Sequence, residues 1–347
     1  MPLIVDLDRL HAAIVRLPGM AGVAPDALSP LAAGGVAHDH VRILGTGLLA
    51  RVPRVSQMAM AARDNLLYQA ECFRRLAASG ATPRLAGVIE PGCGLPMGAL
   101  LVEDVAGRPA RVPADLPAIA TALAAIHRLP VPAERAPLVD HTDPVAGTWA
   151  VIQGQAVHFA AAPASAAVRA ALDAECAWAA ALVAAPPHPP APRTLVGTDT
   201  HPGNFLIAGD GRAMFVDAEK ALYGTPAIDI AHVTLATSVL WSAPDATPVG
   251  AADILAFERA WLAELPADLG NALRPWVRPM RRLTWLRSMS WFARWWVLSR
   301  DDPAWSAAAL DAGLADHIRG RVRQFFTDAM VEAVRAEWLG PDPLPAP

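Results

Sequence analysis

The run at 197–220, GTDTHPGNFLIAGDGRAMFVDAEK, gathers the residue types of phosphoryl-transfer chemistry at close spacing. Asp199 stands five positions before Asn204, and Asp217 follows after two short apolar stretches. Moving a phosphoryl group asks a protein for little covalent work. It needs an aligned acceptor hydroxyl and cations that spread the charge of the group in flight. A carboxylate beside the hydroxyl orients it and accepts its proton. An amide oxygen and a second carboxylate hold magnesium, a hard ion that prefers oxygen ligands. The separation of Asp199 and Asn204 is that of a D-x-x-x-x-N catalytic loop.

Positioning these side chains takes two strands and a turn. Residues 205–207 and 213–216 are apolar runs around Gly209-Asp210-Gly211. Such a hairpin carries Asp217 back beside Asn204, and Pro202-Gly203 fits a tight loop before it. An isolated D-x-x-x-x-N is usually surface-loop chemistry. The weight here comes from several motifs in one order.

The segment resembles the aminoglycoside phosphotransferase and choline kinase family, the small-molecule branch of the protein-kinase-like fold. That family's catalytic run is H-G-D-L-H-P-G-N followed by I-D-W-E; this chain reads GTDTHPGN and then VDAE. The resemblance implies Asp199 as catalytic residue, Asn204 and Asp217 as magnesium ligands, and His201 and Glu219 as candidate supporting residues. The run GTPAIDIA at 224–231 is similar to the family's G-x-P-x-x-D-L-A, which makes Asp229 a structural tie to the loop. Upstream, Gly34 and Gly35 resemble the glycine loop over the phosphates. Arg51, in LLARV, matches the phosphate-anchoring cation, and Glu71 the helix glutamate that pairs with it. LLVEDVAG at 100–107 matches the hinge whose backbone, near Glu103 and Val105, receives the base. The matched stretch runs from about residue 31 to 237.

Two departures stand out. Gly197-Thr198 occupies the usual His-Gly position, and the strand cation is arginine rather than lysine. Arginine grips phosphate through two parallel hydrogen bonds and stays charged. Strand alternation puts Arg51 and Arg54 on opposite faces, so one of them enters the cleft. Lys220 is the single lysine among 29 basic residues. Alternation from Asp217 turns Glu219 toward the site and Lys220 away from it. His38 and His40 read as solvent-facing.

The expected fold is therefore α+β and two-lobed, protein-kinase-like. Residues 1–102 form a nucleotide-binding lobe with a small antiparallel sheet, 103–107 a hinge, and 108–347 a large, mainly helical catalytic and acceptor lobe. Strands are expected at 41–43, 48–52, 85–89 and 99–102, and helices at 56–78, 115–129 and 165–183. Residues 184–193 read as a stiff linker, and the chain after Asp217 as almost wholly helical to 338. ATP, with GTP as the alternative, and magnesium are the implied cofactors.

The acceptor is a small hydroxylated molecule. Residues 271–300 hold seven arginines, five tryptophans and no acid. Arg287, Trp291 and Arg294 share a helical face and are candidate contacts for an anionic or aromatic acceptor. Trp285, Trp295 and Trp296 read as core. A net charge of −4 leaves no electrostatic footprint for nucleic acid. No run of about 18 uncharged apolar residues suggests a membrane span. The N-terminal residues do not read as a signal peptide. Three widely spaced cysteines fit a cytoplasmic protein. The rival reading, from another functional class, is a non-catalytic nucleotide- or metabolite-binding regulatory protein on the same fold.

Overall fold

A computed structural model describes residues 5–31, 37–92, 94–242, 246–301 and 312–347. The expected glycine loop at Gly34 and Gly35 lies outside the described residues. Helix α1 (Leu7–Ile14) precedes strands β1 (Leu28–Pro30), β2 (His38–Ile43) and β3 (Leu48–Pro53). Helix α2 (Ala62–Ala77) is followed by β4 (Leu85–Ile89) and β5 (Ala99–Glu103). These strands make one antiparallel sheet in the order β1-β2-β3-β5-β4. Its apolar face, with Val41, Ala50 and Leu101, packs on Leu10 and Ile14 of α1. The opposite face, with Leu100 and Val102, packs on Phe73 and Leu76 of α2.

Helix α2 begins six residues later than the periodicity predicts. Ser56 Oγ accepts the amides of Met58 and Met60, and Ala59 takes a left-handed φ of 55°. That local side-chain capture competes with a helical turn.

The remainder is mostly helical. It opens with β6 (Gly107–Pro109), α3 (Leu116–His127), α4 (Pro144–Ala156) and α5 (Ala166–Ala184). Strands β7 (Thr194–Val196), β8 (Phe205–Ala208), β9 (Ala213–Phe215) and β10 (Leu222–Gly224) follow. Helices α6 (Ala227–Thr234), α7 (Ala236–Ser242), α8 (Ala251–Ala263), α9 (Ala267–Leu273), α10 (Val277–Asp301), α11 (Ala312–Phe325) and α12 (Asp328–Leu339) complete it. The expected hairpin exists: β8 and β9 pair antiparallel with Phe205 opposite Phe215. Strand β10, which the sequence reading counted within a helical region, pairs with β7 instead. The result is a two-lobed α+β fold, with an antiparallel-sheet lobe beside a mainly helical one.

Helix α10 is the axis of the second lobe, packed against α4 and α6. Trp285 and Trp295 are fully buried there and Trp296 nearly so, as their spacing predicts. Three of its arginines reach carboxylates on other elements. Arg278 pairs with Glu258 of α8, Arg281 with Glu337 of α12, and Arg282 with Glu175 of α5. Glu175 is wholly buried and also accepts from Arg335 Nε at 2.8 Å and Trp338 Nε1 at 3.4 Å. One carboxylate thus joins α5, α10 and α12. Glu175→Ala leaves two guanidinium groups without their counter-charge and should lower unfolding free energy by about 3 kcal/mol. Urea denaturation with an unchanged slope would measure it.

Candidate active site

Three elements fix the loop between β7 and β8. Asp229, in the first turn of α6 and 0% exposed, accepts from Gly197 N and Thr198 N, both at 2.7 Å. His127, the last residue of α3, faces the same carboxylate through Nε2 at 3.0 Å. Trp261 Nε1 donates to His127 Nδ1 at 3.0 Å, so the imidazole proton sits on Nε2. Thr200 Oγ1 donates to Asp229 O at 2.9 Å. The tie expected of Asp229 is formed, and His127 is a partner that the sequence reading missed. A histidine closing an otherwise apolar helix was its one visible sign.

The departure at Gly197-Thr198 has a steric reading. A Cβ on Gly197 would meet Phe215 Cε1 at 2.8 Å, so a histidine has no room there. Thr198 takes φ 63°, a conformation that favours glycine. Its hydroxyl offsets the strain by donating to Lys220 O at 3.0 Å.

The site residues converge at the end of the β8–β9 hairpin. Asn204 Nδ2 donates to Asp199 O at 2.7 Å, and Val216 N donates to Asn204 O at 2.9 Å. Arg51 crosses from β3 of the small lobe. Its Nη1 donates to Val216 O at 3.0 Å and its Nη2 to Asp217 Oδ1 at 2.5 Å. Arg54 turns the other way and pairs with Asp39, as alternation predicts.

Two expectations are corrected here. Glu71 does not pair with Arg51; it holds Arg75 Nε at 2.7 Å and lies near Arg74. On α2, Gln69 meets His38 of β2 and Phe73 packs with Leu100 and Val102 of β5, while Glu71 falls on another face and pairs within its own helix. Besides Asp217, the carboxylate beside Arg51 is Glu219, 3.5 Å from Nη2. His38 is not solvent-facing. It is 4% exposed and presents Nε2 to Glu219 Oε2 at 2.9 Å and Gln69 Oε1 at 3.2 Å. His40 is half-buried beside it, ring centroids 6.1 Å apart.

Lys220 is the third correction. The chain leaves strand geometry after Phe215 and turns at 219–220, so alternation does not extend to it. Its Nζ sits 2.6 Å from Asp199 Oδ2, with both side chains about a quarter exposed. Burial alone would raise the Asp199 carboxyl, but the Lys220 ammonium, with His201 and His232, holds it well below the usual carboxylate range. Burial likewise opposes ionisation of Asp217, and Arg51 and Lys220 outweigh it. His201 is depressed by burial and by Lys220.

Of the acceptor candidates, Arg287 reaches the loop, donating from Nη1 to Thr198 O at 3.2 Å. Trp291 packs edge-on against Trp241 of α7, the helix that contacts residues 202–204. Arg294 lies two turns further along α10, near His158. At the hinge, Glu103 N and Asp104 N bond Arg84 O and Gly47 O, and Glu103 pairs with Arg84 through its side chain. The backbone of Val105 makes no protein hydrogen bond among the described residues.

The donor set fits magnesium. Asn204 Oδ1 and the second oxygen of Asp217 carry no protein hydrogen bond among the described residues. No cluster of three or more His, Cys, Asp or Glu able to hold a metal occurs among those residues. Two protein ligands completed by phosphate and water is how magnesium is usually held. Arg51 Nε is buried without a partner, a donor suited to a phosphate oxygen.

Two predictions follow from this arrangement. Asp229→Ala orphans two buried amides and His127, and should destabilise by about 3 kcal/mol or more; calorimetry would register it. His232, buried near His201, is pushed down to about 4. The unfolded chain binds that proton first, so its contribution is complete above about pH 6.5 and fades as pH falls toward 4. Unfolding free energy should drop by about 2 kcal/mol between pH 7 and 5, and less in His232→Gln.

The sequence model of the phosphotransferase enzyme family (APH) matches residues 29–267. None of the curated proteins matches the chain. Among solved structures, a choline/ethanolamine kinase family protein from Mesorhizobium loti is 19% identical, with 94% of this chain and 98% of that one covered and a TM-score of 0.59. Ethanolamine kinase from Plasmodium vivax is 14% identical, with 92% and 88% covered and a TM-score of 0.58. The aminoglycoside phosphotransferase APH(3'')-Id from Streptomyces rimosus is 17% identical, with 82% and 99% covered and a TM-score of 0.51. These likenesses carry the kinase-like fold; among the described residues, no helix is long and apolar enough to cross a membrane. Over more than two-thirds of its length the chain matches one family, and it belongs to the phosphotransferase enzyme family.

Proposed function

We propose that this protein transfers the terminal phosphoryl group of ATP to a hydroxyl of a small-molecule acceptor, with magnesium. The observation that carries the reading is the convergence of Asp199, Asn204 and Asp217 on one hairpin end, met there by Arg51 from the other lobe. GTP is the alternative donor, and backbone groups near Glu103–Val105 are the proposed seat of the base.

Asp199 binds the acceptor hydroxyl through the oxygen not held by Lys220. The acceptor oxygen attacks the terminal phosphorus as the bond to the bridging oxygen breaks. The bridging electrons stay on ADP, and the hydroxyl proton passes to Asp199. Because Asp199 is held low, it orients the hydroxyl first and takes the proton late, when transfer has made that proton acidic. Arg51 carries the phosphates, and Glu219, His38 and Gln69 hold Arg51's side of the cleft in place. Magnesium, held by Asn204 and Asp217 when bound, supplies charge neutralisation at the phosphates. Arg287, with donors remaining beside the loop, is the proposed contact for an anionic group of the acceptor, and Trp291 with Trp241 an aromatic wall.

Magnesium-dependent ATP consumption against a panel of hydroxylated metabolites tests the reading. Asp199→Ala should lower kcat by at least about 1,000-fold while nucleotide affinity stays within a few fold. Nucleotide binding without turnover on any acceptor would favour a regulatory protein, and no nucleotide binding would defeat both readings. Arg287→Ala should raise the acceptor KM about tenfold or more with the ATP KM unchanged.

A further inference from the structure

We propose that Lys220 is a second phosphate-directed cation of the reaction: its ammonium rests on Asp199 in the free protein and contacts the transferring phosphoryl group in the loaded one. This deepens the phosphotransferase reading and rests on it.

The geometry supplies the first support. Lys220 Nζ lies 2.6 Å from Asp199 Oδ2, the proposed base. Any group aligned for attack beside Asp199 therefore arrives within reach of that ammonium. Its backbone is fixed on both sides. Thr198 Oγ1 bonds its carbonyl, Ala221 N donates to Ala218 O at 3.2 Å, and Tyr68 donates to Ala221 O at 2.8 Å. Ala218 and Ala221 are fully buried. A turn held by these bonds thus carries a flexible four-carbon stem whose side chain is about a quarter exposed.

Charge supplies the second. Asp199, Asp217 and Glu219 face Arg51 and Lys220 in this region. Arg51 already has Nη1 and Nη2 on Val216 and Asp217. The ammonium carries three donors, and Asp199 takes one. Two remain for oxygens of the phosphoryl group, whose charge spreads over its equatorial oxygens during transfer.

Composition supplies the third. Of 29 basic residues, 29 − 1 = 28 are arginine. A chain so biased tolerates arginine wherever a charge suffices. The one lysine stands beside Asp199, where a compact, rotatable point charge differs most from a planar fork.

In the step itself, the acceptor oxygen forms its bond to the terminal phosphorus and the bond to the bridging oxygen breaks. ADP leaves with that electron pair, and the acceptor proton goes to Asp199. Lys220 neither gains nor loses a proton; it moves from carboxylate to phosphoryl oxygen as Asp199 is neutralised.

Lys220→Met should bind ATP within about threefold of wild type, remain folded by circular dichroism at the assay temperature, and lose turnover by about 100-fold or more. Turnover within threefold of wild type would overturn the proposal. A second measurement is independent of turnover. Reductive dimethylation with 13C-formaldehyde labels Lys220 and the α-amino group alone. In the free protein the Lys220 resonance should shift in Asp199→Asn. In the wild type it should shift again on adding magnesium and β,γ-imido-ATP. A resonance that responds to Asp199→Asn but ignores the nucleotide marks a merely structural ion pair and overturns the proposal. A wild type that neither binds nor turns over ATP defeats the phosphotransferase reading itself, and the proposal with it.

Discussion

The buried Asp229 carboxylate is the constraint on which the site depends. Two consecutive loop amides point into the protein at Gly197 and Thr198, where no strand partner can take them. Unpaired, each would carry the desolvation cost of a buried polar group. Asp229 accepts both, and the bonds are charge-assisted and short. His127 and Trp261 then hold the carboxylate from behind. The loop's left-handed turn at Thr198, and with it the direction of Asp199, follows from this one group.

A second level of order is electrostatic. The cleft brings carboxylates and cations together at a density that burial alone would neutralise. Asp217 and Asp199 are held low because a cation lies within hydrogen-bonding reach of each, Arg51 on Asp217 and Lys220 on Asp199. The same logic runs through α10, where Arg278, Arg281 and Arg282 each meet a carboxylate from a different helix. In an arginine-rich, acid-free stretch that resembles a ligand surface in sequence, these three arginines brace the second lobe. Arg287 turns to the loop between β7 and β8.

Substitution of Glu219 for Glu71 illustrates how one role can migrate between elements. A buried strand cation needs a carboxylate neighbour to offset its desolvation and to orient it. Helix α2 presents Gln69 to the sheet side, so the carboxylate comes from the segment after Asp217. His38 links the two through Nε2, joining β2, α2 and the second lobe in one chain of contacts. The lobes are thereby coupled at the proposed nucleotide cleft.

Sequence determined the local features. The β8–β9 hairpin, Asp199 and Asn204 on one loop, the opposite faces of Arg51 and Arg54, and the buried tryptophans of α10 all follow from spacing and periodicity, which act over a few residues. Tertiary structure decided what periodicity cannot reach. Glu71 was misplaced because a pairing partner depends on which helix face meets the sheet. Lys220 was misplaced because alternation ends where the strand does, and a turn at 219–220 reversed its direction. His127 was silent because its partners, Asp229 and Trp261, stand 102 and 134 positions away. Contacts between residues so far apart are set by packing of the whole chain, and no local pattern encodes them.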